Sequence, residues 1–455
     1  MSSAVSQAFF DSVTASLGRE TAERLRAALL EPASVSVRFN PFKDADLSYL
    51  MDGAAAVPWS PCGRILGQRP VFTLDPLFHS GAYYVQDSSA MFVGQVFRDM
   101  LGRLDVQGRP VRVLDLCAAP GGKTTDMAAS LRSAFGENFI LVSNEVMRAR
   151  ASVLADNVAR WGDPNVVVTS VDPKVFARLE GWFDCIVADV PCSGEGMFRK
   201  DEEAVAQWSP DNVALCALRQ RRIVADVWPS LAEGGVMVYS TCTFNDTEND
   251  GNASWICAEL GAEGVRPHSA PEGVLETRCG YLMVPGLVPG EGQYCAAMVK
   301  TSSAGTSVPR VKLPKPDAAG KMASRYFDIP VTARMKGDLM VALPDVIALE
   351  AAVLGSVMPL LASGCAVGQV KGRDLVPDED LALCTCCSTD AFPQAEVDTK
   401  TALRYLHRDA LVLPDAPKGF VRLVCGRTGI GFVKNLGNRC NNLHPQGRRI
   451  LMDIQ

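Results

Sequence analysis

The chain has 455 residues, 47% of them apolar, and 45 lysine and arginine residues against 51 acidic residues give a formal net charge of −6. This length allows two or three domains, and no run of about eighteen apolar residues occurs, so no membrane-spanning helix is expected. Because the first residues lack a basic stretch before an apolar core and most of the fifteen cysteines stand singly, we expect a reduced, cytoplasmic protein.

Residues 1–90 are predicted to form a helical N-terminal subdomain. Apolar residues spaced three and four apart in 19–30 predict a helix, and residues 35–41 alternate like a short strand. A further helix is predicted to begin at Asp87 or Ser88, because such side chains accept hydrogen bonds from the free N–H groups of a helix start.

Residues 91–302 are predicted to form an α/β domain with a Rossmann-like, doubly wound sheet. Short apolar runs alternate here with helical stretches, which is typical of a parallel sheet that helices cover on both faces. The predicted strands are 111–116, 139–143, 166–170, 185–190 and 235–240. The predicted helices are 123–132, 147–160 and 211–232, and a closing antiparallel hairpin is predicted at 280–284 and 293–299.

A stretch rich in serine, glycine and proline predicts a linker over 303–320, and a second α+β domain is predicted over 321–455. Its strands are predicted at 368–372, 381–384, 420–424 and 429–434. Residues 418–455 contain seven lysine and arginine residues and one acid, a local charge of +6 that leaves −12 for the other 417 residues. Such segregation indicates a surface that faces phosphate groups, and a basic tail that only improves solubility is the alternative.

A glycine-rich turn follows the first predicted strand of the α/β domain and opens a helix. Its glycines let the backbone approach a ligand closely, and the helix start offers free N–H donors. The turn consists of Cys117, Ala118, Ala119, Pro120, Gly121, Gly122 and Lys123.

This turn fits two kinds of ligand site in part, a phosphate-binding loop and an adenosyl-methionine site. A phosphate-binding P-loop, with Asp189 as its magnesium-binding acid, requires a glycine where this chain has Cys117. An adenosyl-methionine site requires an acid after the second strand for the ribose hydroxyls, and Glu145 stands there. Asp172, after the third strand, can accept a hydrogen bond from the adenine amino group. We therefore favour adenosyl-methionine as the cofactor.

Two cysteines stand just past the ends of later strands, where ligands of such sheets bind. Cys192 lies in Pro-Cys-Ser-Gly and Cys242 in Ser-Thr-Cys-Thr, polar contexts that fill a core poorly, although free cysteines usually only pack. A thiolate that adds to carbon 6 of a cytosine makes carbon 5 able to attack a methyl donor. The spacing does not say which thiol attacks. Asp189 can hydrogen-bond N3 of the cytosine, and Lys123 can assist it or merely pair with it.

The remaining candidate residues are weaker indicators of function. A metal site is not expected at Cys384, Cys386 and Cys387, because no second cysteine pair or histidine stands at zinc-binding spacing. Several basic residues are candidates for phosphate contacts, although most such charges are only solvated. They are Arg199, Lys200, Arg219, Arg221 and Arg222.

Taken together, these motifs resemble the Sun-type (Fmu-like) RNA cytosine-C5 methyltransferases over nearly the whole chain. Within that family the sequence looks most like the bacterial 16S ribosomal-RNA methyltransferase F branch. The segments that carry the resemblance are 37–41, 84–91, 115–123, 189–200, 208–210 and 239–243. Many relatives carry a histidine where Gly286 follows Pro285, which leaves the choice of target open.

The resemblance implies roles that spacing left open. Cys242 would attack carbon 6, and Cys192 would help to release the product. Adenosyl-methionine would be held by the turn 117–123 together with Glu145, Asp172 and Asp189.

The resemblance also implies RNA as the partner, first of all 16S rRNA, possibly within the small ribosomal subunit, with tRNA as the alternative. Residues 1–90 would face the RNA, and 321–455 would be a PUA-like RNA-binding domain, with matching segments at 368–373 and 429–445. We expect a monomer. An inactive RNA-binding assembly factor is the rival interpretation, and the intact Cys192, Cys242 and Asp189 argue against it.

Overall fold

The computed structural model describes residues 5–104, 106, 108–303, 305, 307–313, 318–372 and 374–454. The α-helices are α1 Gln7–Leu17, α2 Arg19–Ala28, α3 Pro76–His79, α4 Met91–Leu101, α5 Gly122–Phe135, α6 Arg148–Trp161, α7 Glu202–Gln207, α8 Pro210–Val227, α9 Asp250–Leu260, α10 Ala318–Ala323, α11 Ala348–Val357, α12 Glu379–Leu383 and α13 Thr399–Leu406. Within the described ranges, no helix is both long enough and apolar enough to cross a membrane.

Over the described residues, the strands form four sheets. They are β1 Val35–Phe39, β2 Ala55–Ala56, β3 Gly63–Leu66, β4 Tyr83–Val85, β5 Val111–Asp115, β6 Phe139–Asn144, β7 Val166–Thr169, β8 Phe183–Asp189, β9 Leu231–Thr241, β10 Ala262–Val265, β11 Leu275–Glu276, β12 Tyr281–Met283, β13 Gln293–Lys300, β14 Val331–Lys336, β15 Leu339–Pro344, β16 Leu360–Ser363, β17 Cys365–Lys371, β18 Asp374–Pro377, β19 Gln394–Glu396, β20 Gly419–Cys425, β21 Thr428–Asn435 and β22 Cys440–Asn442. Short 3₁₀ helices are Ser48–Leu50, Phe72–Leu74, Pro173–Arg178, Glu195–Met197, Trp228–Ser230, Ser324–Tyr326, Asp345–Ile347 and Gln446–Arg448.

The central sheet has ten strands in the order β11-β12-β13-β9-β8-β5-β6-β7-β16, with β10 paired to β13. Strands β5 to β9 are parallel, and β13 runs antiparallel to β9. Their apolar runs are buried because helices cover both faces. The predicted Rossmann-like α/β fold, its five parallel strands and its closing hairpin are therefore confirmed.

The order of the strands determines where a ligand site is expected on the central sheet. Strand β5 lies between β6 and β8, which is the point where the strand order reverses and where open sheets bind ligands. The register pairs Asp115 with Val187 and Asp189 with Ser240, so the carboxyl ends of β5, β8 and β9 meet at one edge.

The N-terminal segment has two helices, α1 and α2, followed by an antiparallel sheet in the order β2-β3-β1-β4. Helix α2 and strand β1 match the predicted elements, whereas α1 and the other strands of this sheet were not predicted. The helix predicted to start at Asp87 or Ser88 is α4, and its predicted cap is wrong, because Ala90 precedes it. The carboxylate of Asp87 instead accepts the backbone N–H groups of Ser89 (3.0 Å) and Glu291 (3.2 Å).

The C-terminal part contains two further sheets, β14-β15-β17-β18 and β19-β20-β21-β22. Residues 304, 306 and 314–317 of the predicted linker and Arg373 of the predicted segment 368–373 lie outside the described residues. Strand β16 pairs antiparallel with β7, so part of this region extends the central sheet.

Two element predictions are wrong. The predicted strand 381–384 is helix α12, whose N-cap Asp378 accepts the backbone N–H of Asp380 at 3.0 Å. A short apolar run fits a buried strand and a buried helical turn equally well. The predicted helix 211–232 ends at Val227, and a turn with Pro229 leads into β9.

Candidate active site

The turn between β5 and α5 is shaped by Gly121. This residue has φ 113°, a conformation that glycine adopts without strain. A Cβ atom there would lie 3.2 Å from the Cδ1 atom of Leu154 on α6. The backbone N–H of Ala118 donates to the carbonyl of Asn144 at 2.8 Å, which ties the turn to the end of β6.

Three acids surround this turn. Asp115 is fully buried, its Oδ2 accepts the Thr124 hydroxyl at 2.6 Å, and its Oδ1 has no hydrogen-bond partner. Burial raises the pKa of Asp115 to about 7. Glu145, also buried, lies 3.3 Å from the guanidinium of the half-exposed Arg150. Asp172 accepts a hydrogen bond within its own loop, at the start of a 3₁₀ helix.

The two predicted thiols are in contact. The Sγ atoms of Cys192 and Cys242 are 3.0 Å apart, longer than the about 2.05 Å of a disulfide bond. Both residues are partly exposed. The backbone N–H of Gly196 donates to the carbonyl of Cys242 at 2.8 Å, which joins the loops after β8 and β9. The parallel pairing of these strands therefore brings together residues that lie 50 positions apart.

Asp189 and Lys123 form the ion pair that the sequence left as one of two options. The Nζ atom of Lys123 lies 2.8 Å from Oδ2 of Asp189, while Oδ1 accepts the hydroxyl of Ser240 (2.7 Å) and the amide of Gln293 (3.2 Å). Burial, the largest single influence, lowers the pKa of Lys123, but the attraction and hydrogen bond to Asp189, together with smaller attractions to Cys242 and Asp115, raise it overall. Lys123 therefore keeps its positive charge at the site.

A buried polar network lies behind the thiols, and the sequence did not predict it. The amide of Asn245 donates to the carboxylates of Glu195 (3.0 Å) and Glu248 (2.8 Å), and the hydroxyls of Ser193 and Thr243 are 3.0 Å apart. All five residues are buried. Their nearness to the cysteine motifs was the available signal. Gln293, by contrast, is 104 residues from Asp189 and reaches it only because β13 pairs with β9.

Comparison with known families identifies the chain. Three family models match: 16S rRNA methyltransferase RsmB/F over 104–260, the N-terminal domain of 16S rRNA methyltransferase RsmF over 5–88, and the methyltransferase RsmF PUA domain over 392–450. Ribosomal RNA small subunit methyltransferase F of Aliivibrio fischeri (strain MJ11) is 32% identical over 346 residues, which are 70% of this chain and 68% of that protein. The chain belongs to the RsmF family. The predicted resemblance is confirmed.

Other relatives in the RsmF family match over shorter stretches. The protein of the same name from Cronobacter sakazakii (strain ATCC BAA-894) is 36% identical over 61% of this chain, and the match spans 59% of its own length. The match to the Serratia proteamaculans (strain 568) protein, at 42% identity, spans 40% of this chain and 36% of that protein. The chain thus covers less than two thirds of these relatives.

Solved structures agree with the fold. A methyltransferase homolog protein from Pyrococcus horikoshii has a TM-score of 0.54 at 25% identity, covering 65% of this chain and 95% of its own. NSun6 from Pyrococcus horikoshii with SFG has a TM-score of 0.54 at 18% identity, covering 66% and 99%. At this identity, NSun6 supports the fold alone.

The RsmF PUA model covers much of the basic C-terminal segment. Of its seven basic residues, Arg448 contacts Glu379 and Asp380 at 2.8 Å, Arg427 pairs with an exposed acid, and Arg422 donates to a backbone carbonyl. Three exposed residues lie near the turn that joins β21 to β22, and we call them the basic end. They are Lys418, Lys434 and Arg439.

The basic residues predicted to contact phosphate differ in how exposed they are. The prediction that Arg199 contacts phosphate is wrong. Its side chain is 9% exposed, pairs with Glu291 at 2.7 Å and donates to the Gly290 carbonyl at 2.6 Å. Arg221 donates to a side chain of α9, whereas Arg219 and Arg222 are exposed. In the part of the chain that the structure describes, no cluster of histidine, cysteine or acidic residues can hold a metal.

Proposed function

We propose that this chain methylates carbon 5 of a cytosine in RNA, with adenosyl-methionine as the methyl donor and 16S rRNA as the substrate. The observation that carries the proposal is the contact of Cys192 with Cys242, at 3.0 Å, on the ligand-binding edge of a sheet that the RsmB/F model matches. We further propose that the protein is a cytoplasmic monomer that acts on rRNA of the small subunit.

The cofactor would be held by the backbone of 117–123 and by Glu145, Asp172 and Asp189. Adenosyl-methionine carries two cationic groups and ribose hydroxyls, which suit a turn surrounded by carboxylates. The free Oδ1 of Asp115 is a buried acceptor without a partner at this place, which supports the fit. When bound, adenosyl-methionine supplies an electrophilic methyl group.

Cys242 is the proposed nucleophile. Its thiolate adds to carbon 6, and the electron pair of the 5,6 double bond becomes available at carbon 5, which takes the methyl group. Asp189, once its carboxyl group carries a proton, donates a hydrogen bond to N3 and so stabilises the negative charge that develops on the ring as the sulfur adds, and the ammonium of Lys123 lies 2.8 Å from its Oδ2. A base then removes the carbon 5 proton, the carbon–sulfur bond breaks, and the Cys242 thiolate leaves with assistance from Cys192.

The substrate base must leave its stack before the sulfur can reach it. Carbon 6 of a paired cytosine is covered by its neighbours, so we propose an unpaired or flipped target. The basic end and the match to the RsmF PUA domain support RNA as the partner, since exposed cations contact phosphates independently of sequence.

Trapping of RNA tests the roles of the thiols. Cys192→Ala is expected to accumulate a protein–RNA complex that survives denaturing electrophoresis, because the adduct forms and is not released. Cys242→Ala is expected to form none. Cys257→Ser, which removes a partly exposed thiol on α9, is the matched control and should behave as the unchanged protein does. A stable complex from Cys242→Ala would refute the role assignment.

The RNA target needs a second measurement. Bisulfite sequencing of RNA from cells with and without the gene should show the loss of one or more methylated cytosines in 16S rRNA. If the lost positions lie in tRNA instead, the proposed substrate is wrong while the proposed reaction stands.

A further inference from the structure

A carboxylate is buried behind the loop that carries Cys192. Glu248 is 0% exposed, and its two oxygens accept hydrogen bonds from the backbone N–H of Ser193 (3.0 Å) and the side-chain amides of Gln220 (2.6 Å) and Asn245 (2.8 Å). All three partners are neutral N–H donors, an arrangement that favours the charged form of a carboxyl group. Burial, the largest influence, raises the pKa of Glu248, and the contacts with Ser193 and Asn245 reduce that rise without cancelling it.

Glu248 binds the chain next to Cys192. The Ser193 N–H that Glu248 binds belongs to the residue directly after Cys192. The pKa of the Cys192 thiol is raised well above its usual value by the contact with Cys242, by burial and, in smaller part, by Glu248.

A positive charge acts on the other thiol. The ammonium of Lys123 pairs with Asp189, and attraction to Cys242 is a smaller cause of the raised pKa of Lys123, which burial alone would lower. The two sulfur atoms are 3.0 Å apart, the Glu248 carboxylate binds the backbone N–H next to Cys192, and the Lys123 ammonium is held at the same site by Asp189.

We propose that Glu248 is a positioning residue that, together with Lys123, keeps the proton of the thiol pair on Cys192 and leaves the negative charge on Cys242. The purpose of this arrangement rests on the proposed function, in which Cys242 is the nucleophile. A carboxylate repels a neighbouring thiolate and an ammonium attracts one, so Cys192 donates its S–H hydrogen to the Cys242 sulfur. The remaining charged group of the network, Glu195, accepts hydrogen bonds from the side chains of Trp208 (2.9 Å) and Asn245 (3.0 Å) and from a backbone N–H (2.6 Å).

Alkylation of the thiols in the absence of RNA tests this proposal. In Cys242→Ser, the rate at which iodoacetamide modifies Cys192 is followed by peptide mass spectrometry from neutral to alkaline pH. Adding Glu248→Gln is expected to lower the pH midpoint of this reaction and to speed it at about pH 8 by at least about threefold. Glu195→Gln is the matched control, because Glu195 is equally buried in the same network, and it should leave the midpoint in place.

Two outcomes would overturn the proposal: an unchanged Cys192 midpoint in Glu248→Gln, or an equal shift in Glu195→Gln. Glu248→Asp keeps the charge while it shortens the side chain, so it must hold the pH midpoint near that of the parent, and a shift as large as that of Glu248→Gln also refutes the charge effect.

If circular dichroism shows that Glu248→Gln does not fold, the variant Lys123→Met in the background of Cys192→Ser takes its place. There the alkylation of Cys242 must slow at neutral pH, and an unchanged rate overturns the proposal.

The trapping assay separates this proposal from the proposed function. Shifted thiol midpoints without any trapped RNA would refute the methylation mechanism and leave the placement of the proton intact. Trapped RNA with unchanged midpoints would refute the role of Glu248 alone.

Discussion

Burial of single polar groups sets the chemistry of this site. Asp115 ends β5 with one carboxylate oxygen bound by Thr124 and the other without a partner, in a position where water does not reach it. A buried carboxylate without compensation binds a proton more readily than one in water. A cationic ligand bound nearby would therefore favour the ionised form of Asp115. Because this carboxyl group titrates differently in the folded and unfolded chain, it also makes the stability of the fold depend on pH.

The first prediction concerns Asp115→Asn. Burial raises the pKa of Asp115 from its usual 3.8 to about 7, so between these values the folded protein binds a proton that the unfolded chain does not. The stabilisation is present at low pH and is lost as pH rises through about 7, and at about 1.4 kcal/mol for each pKa unit the loss reaches about 4 kcal/mol. Asparagine does not titrate, so the stability of the variant relative to the unchanged protein should rise from about pH 4 to about pH 7 and then level off.

Urea unfolding of both proteins at several pH values, followed by tryptophan fluorescence, measures this difference. Parallel stability curves for the two proteins would show that Asp115 is already ionised in the fold at low pH.

At the scale of elements, the turn between β5 and α5 depends on the helix beside it. Gly121 packs against Leu154 of α6, and Asn157 of the same helix donates to the Pro120 carbonyl at 2.8 Å. From the N-terminal sheet, the buried Arg38 donates to the Gly122 carbonyl at 3.1 Å. Two separate segments, α6 and the N-terminal sheet, thus hold one loop, which makes the backbone of the proposed cofactor site rigid.

The second prediction concerns Gly121→Ala. A side chain at φ 113° is strained, and its Cβ would press on Leu154 at 3.2 Å, so the turn must shift. Adenosyl-methionine should bind about tenfold more weakly by calorimetry, equivalent to about 1.4 kcal/mol. Gly136→Ala is the matched control, because Gly136 ends the same helix at φ 58° with open space around it. Equal losses of affinity in both variants would refute the local role of the turn.

At the scale of the whole molecule, ion pairs join the C-terminal part to the rest of the chain, in addition to the pairing of β16 with β7. Arg448 reaches Asp156 of α6 and also Glu379 and Asp380 of α12, and it is 15% exposed. A second bridge, between Arg427 and Asp44, is largely exposed. The buried contact should therefore dominate, because solvent screens the exposed pair.

The third prediction compares two arginine variants. Arg448→Met removes the cation that Asp156, Glu379 and Asp380 share and should lower the free energy of unfolding by about 3 kcal/mol. Arg427→Met, the matched control, should change it by less than about 1 kcal/mol. Thermal melting and limited proteolysis check both, with faster cleavage expected only for Arg448→Met. Similar melting temperatures for the two variants would contradict this account of the interface.

The fourth prediction concerns the basic end. Replacing Lys418, Lys434 and Arg439 together by glutamine should weaken RNA binding and reduce the dependence of log affinity on log salt by about 2 to about 3. The matched control removes three exposed cations from the other C-terminal sheet: Arg334, Lys336 and Lys371. Equal effects of both triple variants in fluorescence anisotropy would show that the RNA does not prefer the basic end.

The sequence alone determined the parallel sheet, the glycine turn and the position of both cysteines at the ends of strands. These features depend on local patterns, since apolar runs define strands and residues directly after a strand lie at its carboxyl edge. The same local reasoning was wrong at 381–384, where a short apolar run does not distinguish a strand from a helix.

Only the tertiary structure decided which side chains meet. The 3.0 Å contact of Cys192 with Cys242, the approach of Gln293 to Asp189 and the inward pairing of Arg199 with Glu291 join residues 50 to 104 positions apart. Such contacts depend on how strands pair and how burial removes water from charged groups, and no local pattern encodes either. The proposed effect of Glu248 on the proton of Cys192 depends in the same way on the packing of the loops after β8 and β9 against each other.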